Sequence, residues 1–182
     1  MNAFEIRTAR LTLRPLQEDE AELSLDFAVR NRSFLQPWEP VRNTLYYTLE
    51  THRDALIDEA AQRREGRALR LWLFERGRAI GNATLSNIVG GCFQSCHLGY
   101  KMDERETGKG YMTEAVEAIV RVAFDTLSLH RIEANVMPRN AASLRVVEKL
   151  GFYREGLARK YLKINGVWED HIHMVLRNEK LE

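Results

Sequence analysis

A chain of 182 residues, 45% hydrophobic and 29% charged, is long enough to bury its own core and matches ordinary globular composition, which excludes disordered and collagenous classes. With 27 basic and 26 acidic residues the net charge is +1, which argues against a dedicated DNA-binding surface. Cys92 and Cys96 are too few for a disulfide scaffold and do not form a C-x-x-C pair, so reduced thiols and a cytoplasmic setting are expected. No apolar run approaches the ~20 residues of a spanning helix, so no membrane partner is expected. The opening stretch from Met1 to Leu11 carries early charges and no apolar centre, so it does not read as a secretory signal. Without a repeat or linker, residues 1–182 read as a single domain.

Phe4 to Leu13 alternates as one strand. Gln17–Glu20 is an acidic helix start, and Leu23, Phe27 and Arg30 follow at helical spacing. Phe34–Pro40 (FLQPWEP) is an aromatic loop that its two prolines should keep non-helical. A second helix is expected from about Thr44, with Leu45, Leu49, Leu56, Ile57 and Ala60 on one side. Leu69–Glu75, Ala79–Ile88 and Cys92–Met102 read as three strands turned by Gly77 and by Gly90-Gly91. Met112, Ala115, Val116, Ile119, Val122, Ala123 and Leu127 then step by three and four, a long amphipathic helix. Arg131–Met137 is a strand stopped by Pro138, and Asn140–Leu150 a helix closed by Gly151. Two last strands flank Asn165-Gly166, a strong hairpin signal.

Between the strand ending at Met102 and the helix starting near Tyr111 lies a glycine-containing loop, Asp103–Gly110. Amides of a first helical turn lack intrahelical acceptors and the helix dipole favours negative charge, so a loop of this kind suits an anion. The chain has neither G-x-x-x-x-G-K-[ST] nor the third glycine of G-x-G-x-x-G here, which removes the common nucleotide loops.

Taken with Asn140–Ser143 and Leu150–Phe152, this loop resembles that of the GCN5-related N-acetyltransferases (GNAT), and in particular the RimJ/RimL group of ribosomal-protein N-terminal acetyltransferases. The resembling stretches are Phe34–Arg42, His97–Tyr100, Gly108–Ala115, Arg139–Phe152 and Gly166–His171, spread over essentially the whole chain. The resemblance implies an α+β fold with a mixed, mostly antiparallel sheet of about seven strands flanked by four helices. It also implies acetyl-CoA as cosubstrate, without a metal. The family's Q/R-x-x-G-x-G/A signature falls on Thr107–Met112, which departs from it at both ends; a second literal match begins at Arg105. The pyrophosphate is then expected on the amides of Gly108 to Thr113, with Thr107, Lys109, Gly110, Tyr111 and Met112 around it. The pantetheine is expected beside Lys101, Met102 and Asn140.

Direct attack by an amine on a thioester needs a neutral amine, a stabilised oxyanion and a proton for the thiolate. In many GNAT enzymes that proton comes from a tyrosine at the position of Val147; the resemblance leaves Ser143 as the donor here. The base is open among Glu133, Glu39 and Asp170, with Glu133 favoured, and Glu114 is explained by the helix dipole. Trp38 and Glu39 are expected at the acceptor site. His171 and His173 share a strand face without a convincing third metal ligand, and Arg63–Arg67 reads as a solvated helix end. The expected acceptor is the N-terminal alanine or serine amine of a ribosomal protein, with ribosome association possible in principle and a monomer or homodimer as the assembly. The rivals are acetylation of a small amine (aminoglycoside or polyamine) and a non-catalytic CoA-binding regulator.

Overall fold

The computed structural model describes residues 4–182; Met1–Ala3, part of the opening stretch considered above, lie outside the described residues. One eight-stranded sheet runs in the order β1-β2-β3-β4-β5-β6-β8-β7. Its strands are β1 (Ile6–Arg7), β2 (Thr12–Arg14), β3 (Leu69–Glu75), β4 (Arg78–Val89), β5 (Ser95–Met102), β6 (Arg131–Val136), β7 (Tyr153–Ile164) and β8 (Val167–Arg177). Five α-helices accompany it: α1 (Ala21–Arg30), the single turn α2 (Arg32–Leu35), α3 (Leu49–Arg64), α4 (Tyr111–Arg121) and α5 (Ala141–Lys149). The expected α+β architecture is present, with one more strand and one more helix than expected.

The extra strand arises because Phe4–Leu13 folds as a hairpin and not as one strand. Thr8 N–H donates to Leu11 O (2.9 Å), and Leu11 N–H donates to Thr8 Oγ1 (3.0 Å), closing a turn between β1 and β2. The extra helix, α2, runs into the aromatic segment expected to be non-helical, taking in Phe34 and Leu35. Pro37 occupies an early position of a 3₁₀ turn, Gln36–Trp38, where a missing N–H leaves no bond unmade. Thr44–Tyr47 is likewise a separate 3₁₀ turn, and α3 begins only after Thr48, whose Oγ1 accepts from Thr51 N–H (3.4 Å). The buried face of α3 is His52 and Leu56; Leu49 and Ile57 of the expected stripe are exposed.

Both faces of the sheet are covered. In β3, Leu69, Leu71 and Leu73 point to the core shared with α4 and α5, and Trp72 and Phe74 point to a second core with α1 and α3. The two-residue period of a strand thus makes LRLWLFE buried on both sides. Helix α4 seats Met112, Ala115, Val116, Ala118 and Ile119 against the sheet and ends in a π turn over Val122–Thr126. Asn165 (φ +44°) and Gly166 (φ +83°) form the hairpin turn expected between β7 and β8.

All neighbouring strands are antiparallel except β5 and β6, which pair in parallel over Ser95–Arg131, Cys96–Ile132 and His97–Glu133. Beyond those three pairs the strands separate, so Leu98–Met102 has no strand partner on that side. On its other side this end of β5 lies tightly on β4. A Cβ added to Gly81 would stand 2.5 Å from Lys101 O. We therefore predict that Gly81→Ala displaces the end of β5 and lowers stability by about 1–3 kcal/mol, the usual range for overpacking. Urea denaturation measures it, and an unchanged midpoint would mean that the strands part freely here.

Candidate active site

A cleft of about 440 Å³ lies along the unpaired end of β5. Tyr100, Lys101 and Met102 form one wall, Ser143 and Val146 of α5 another, and the residues around the start of α4 close the end. An unpaired strand edge offers N–H and C=O groups to any extended ligand laid along it.

Buried ion pairs hold the loop that leads into α4. Asp103, 1% exposed, accepts from Arg30 Nε (2.8 Å) and from Arg105 N–H (3.0 Å). Glu104 N–H donates to Asn31 Oδ1 (3.0 Å), and Glu106 pairs with Arg78 and with Lys109 Nζ (2.8 Å). From below, Glu114 accepts from Thr8 Oγ1 (2.6 Å), Arg10 N–H (2.8 Å) and Arg10 Nε (2.7 Å). That carboxylate therefore ties β1–β2 to the first turn of α4, beyond the dipole role expected of it. Gly108 (φ +77°) and Gly110 (φ +82°) adopt the left-handed conformation that lets the loop turn into the helix. Tyr111 opens α4, at the expected position, and Thr107, Gly108, Gly110, Tyr111, Met112 and Thr113 all line the cleft. The ammonium of Lys109 is turned to Glu106, and Lys109 is not part of the lining.

On the opposite wall Asn140 caps α5: its Oδ1 accepts from Ser143 N–H (3.1 Å). Ser143 Oγ is 2.8 Å from the Tyr100 hydroxyl, which also donates to Ser143 O at 2.9 Å. Burial pushes the Tyr100 phenol up to about 12, so it stays protonated at neutral pH. Val147, at the position expected to lack the proton-donating tyrosine, is fully buried in the core. A tyrosine hydroxyl thus enters the cleft from β5 and not from α5. The sequence signal for it was the alternation of β5, which puts Leu98, Tyr100 and Met102 on the α4 face.

The carboxylates expected as bases are dispersed. Glu133 pairs with Arg131 (2.8 Å) and faces His173 Nδ1 (3.2 Å) and His97 Nε2 (3.8 Å), lining neither this cleft nor the chamber beside it. Burial alone would raise Glu133, but hydrogen bonds from Arg131 and Asn135 lower it, which makes it a weaker base. Asp170 accepts from Lys160 N–H (2.9 Å) within the β7–β8 hairpin. Glu39 is the one that reaches the cleft, where it pairs with Lys101 and lies 3.5 Å from Arg42. Burial lowers Lys101, against the pull of Glu39. Trp38 lines the cleft with the Arg139 guanidinium 4.8 Å from its ring centre. Among the described residues no group of three or more His, Cys, Asp or Glu is arranged to hold a metal. No helix of the described residues is long and apolar enough to cross a membrane.

A family model described as an acetyltransferase (GNAT) domain matches residues 10–153. The chain belongs to the GNAT acetyltransferases. It is 43% identical over 168 residues to a probable N-acetyltransferase, YjcK, of Bacillus subtilis, covering 91% of this chain and 93% of that one. It is 39% identical over 171 residues to the ribosomal protein uS5-alanine N-acetyltransferase of Escherichia coli, covering 92% and 87%. Among solved structures, the ribosomal-protein-S5-alanine acetyltransferase of Vibrio fischeri superposes with a TM-score of 0.93 at 33% identity, covering 98% of this chain and 99% of that one. RimJ of Mycobacterium smegmatis, solved with CoA-disulfide, superposes with a TM-score of 0.89 at 30% identity over 94% and 83%. The eight-stranded sheet with its parting strands is therefore a GNAT fold, and the protein is an N-acetyltransferase.

In this GNAT enzyme the loop into α4 depends on carboxylates staying ionised. Hydrogen bonding from Lys109 lowers Glu106; for Asp103 and Glu114 burial acts upward, and the bonds from Arg30, and from Thr8 and Arg10, overcome it. Folded-state values below the unfolded ones give stability that is complete above the unfolded range of about 4 and is lost as pH falls through the folded values. Denaturant titrations should therefore show stability declining below about pH 4. Asp103→Asn should flatten that decline and cost about 1–3 kcal/mol at pH 7, since Arg30 loses its buried partner. An identical pH profile in wild type and variant would remove Asp103 from the account.

Proposed function

We propose that the cleft binds acetyl-CoA and that the enzyme acetylates the N-terminal α-amine of a ribosomal protein, on alanine or serine. The observation that carries the proposal is the pairing of a glycine-lined helix start with the Ser143–Tyr100 hydroxyls across one cleft. The likeness to the uS5-alanine enzyme supports the choice of acceptor. The residues fit the cosubstrate. A Cβ on Gly108 would meet nothing within 4 Å, so this backbone is open to an approaching phosphate. The first-turn amides of Tyr111, Met112 and Thr113 lack intrahelical acceptors, and they receive the pyrophosphate. The unpaired edge of β5 at Lys101 and Met102, with Asn140 opposite, takes the extended pantetheine.

Bound acetyl-CoA supplies an acetyl group on a thioester carbon, open to direct attack by the amine. Ser143 donates a proton, or a hydrogen bond, to the sulfur as it gains charge. Tyr100, neutral at working pH, has one hydroxyl hydrogen within reach of both Ser143 O and Ser143 Oγ; as it turns from the carbonyl to Oγ, the serine hydrogen is freed to point at the sulfur. An α-amine with a pKa of ~7.7–8.0 is roughly a tenth neutral at pH 7, whereas a lysine amine near ~10.4 is neutral about once in 2,500. The enzyme thus needs no strong base for an N-terminal substrate. Glu39, paired with Lys101 at the edge of the cleft, orients the ammonium before its proton passes to water.

Three variants separate these roles. Gly108→Val sets a branched side chain into the cleft and should cost acetyl-CoA at least about tenfold in affinity by calorimetry. Ser143→Ala should lower kcat by ~10²–10⁴ with little change in acetyl-CoA affinity, and Tyr100→Phe should lower it less. Undiminished kcat in Ser143→Ala at saturating acceptor would leave water as the proton donor.

The acceptor is tested with short peptides beginning in alanine or serine. We expect acetylation at the α-amine, located by mass spectrometry, with a rate that climbs from pH 7 toward 8.5 as the amine deprotonates. Turnover of spermidine or kanamycin without turnover of any peptide would replace this reading with the small-amine one.

A further inference from the structure

Beside the cleft lies a second chamber of about 290 Å³, beneath α1 and α3 on the opposite face of the sheet. The two cavities share Leu35, Glu39 and Lys101 in their walls, so the chamber adjoins the cleft directly. At the lower edge of the ~300–1,000 Å³ typical of ligand sites, the chamber has room for a side chain or a short piece of backbone, not a whole peptide.

Two residues of its walls carry buried polar atoms with no partner among the described residues. Trp72, 2% exposed, presents an indole N–H with no acceptor among the described residues. His52, 5% exposed, has Nδ1 2.8 Å from Ser24 Oγ and leaves Nε2 without a partner. Burial lowers His52, which keeps the imidazole neutral, so Nε2 is an unpaired polar atom that donates or accepts according to the role Nδ1 takes with Ser24. Buried polar atoms are seldom left unmatched, so two in one chamber suit a polar guest.

The charges point the same way. Four cations, Arg32, Arg42, Arg70 and Lys101, line the chamber against two carboxylates, Glu39 and Glu59. Glu39 is taken by Lys101 and Arg42, and Glu59 by Arg70. Arg32 stacks on the Tyr47 ring at 4.5 Å, leaving its N–H edge for a guest. If Lys101 were counted as neutral, the cations would still be in excess.

We infer that this chamber is a specificity pocket for the residue following the acetylated one, and that it takes a hydrogen-bond-accepting side chain, carboxylate before amide, while rejecting cationic ones. The inference rests on the acetyl-transfer reading of the neighbouring cleft and goes further, because it says which part of the acceptor is read. The first residue's small side chain sits where the cavities meet, near Glu39, and the next side chain drops between Trp72, His52 and Arg32. A polyamine or aminoglycoside would bring further positive charge to a wall that already has too much.

The test uses peptides that all begin with alanine and carry Glu, Gln or Lys at the second position, the rest being identical. Their binding to the enzyme with CoA present is measured by calorimetry, and their acetylation separately by kcat/KM. We expect the glutamate peptide to bind about tenfold tighter than the lysine peptide, about 1.4 kcal/mol, with glutamine between, since only the carboxylate forms a charge-assisted hydrogen bond. Arg32→Gln should close most of that gap, and Trp72→Phe, which removes one N–H and keeps the ring's volume, should weaken the glutamate and glutamine peptides together. Neither variant should change acetyl-CoA affinity. A flat or reversed order, no binding of any peptide, or a gap untouched by Arg32→Gln overturns the inference. Binding in the expected order without acetylation would overturn the acetyl-transfer reading and leave the pocket's selectivity standing.

Discussion

Three residue pairs of parallel ladder between β5 and β6 govern the rest of the molecule. Parallel strands need a long crossover, and here the crossover is the loop and α4, so the helix start is delivered to the edge of β5. Because the ladder stops at His97 and Glu133, that edge is left open where the helix arrives. A continued ladder would have joined the two halves of the sheet and left no cleft. The close contact of Gly81 with Lys101 O fixes the other edge of β5, so the gap opens toward β6 alone.

The site divides its chemistry by environment. Ser143 and Tyr100 stand as two neutral hydroxyls against the core, where burial keeps the phenol protonated. Across the cleft, Glu39 and Lys101 carry the charge in the wall shared with the chamber behind them. In the proposed reaction, proton donation and acceptor binding are served from two faces of one strand, through the alternating side chains of residues 100 and 101. The ion pairs around Asp103 and Glu106 lie one step farther out and hold the loop whose backbone faces the cleft.

Much of this was legible because it depends on local patterns. The 3- and 4-residue steps of Met112–Ile119 mark α4, Asn165-Gly166 marks its hairpin, and the two glycines before Tyr111 mark the helix start. Asn140 and Ser143, three residues apart, are close as a cap and a capped amide must be. Other expectations failed where local preference met tertiary contacts. Pro37 suits an early helical position as well as a loop, so FLQPWEP was ambiguous by composition. Of the stripe expected on α3, Leu56 is buried, but His52 joins it in place of Leu49 and Ile57, since that helix packs on a sheet face whose own aromatics select the contact.

By itself the sequence determined the order of elements, the helix start that faces the cleft and the serine on α5, since periodicity, glycine and capping chemistry act over a few residues. Only the tertiary structure decided which distant groups share a space. Tyr100 meets Ser143 from 43 positions away, and Lys109 is turned aside by Glu106. Glu133 is drawn to Arg131 and His173, while Glu39 is carried to Lys101. The choice among these carboxylates depends on through-space charge and burial, and neither is set until the strands have paired and parted.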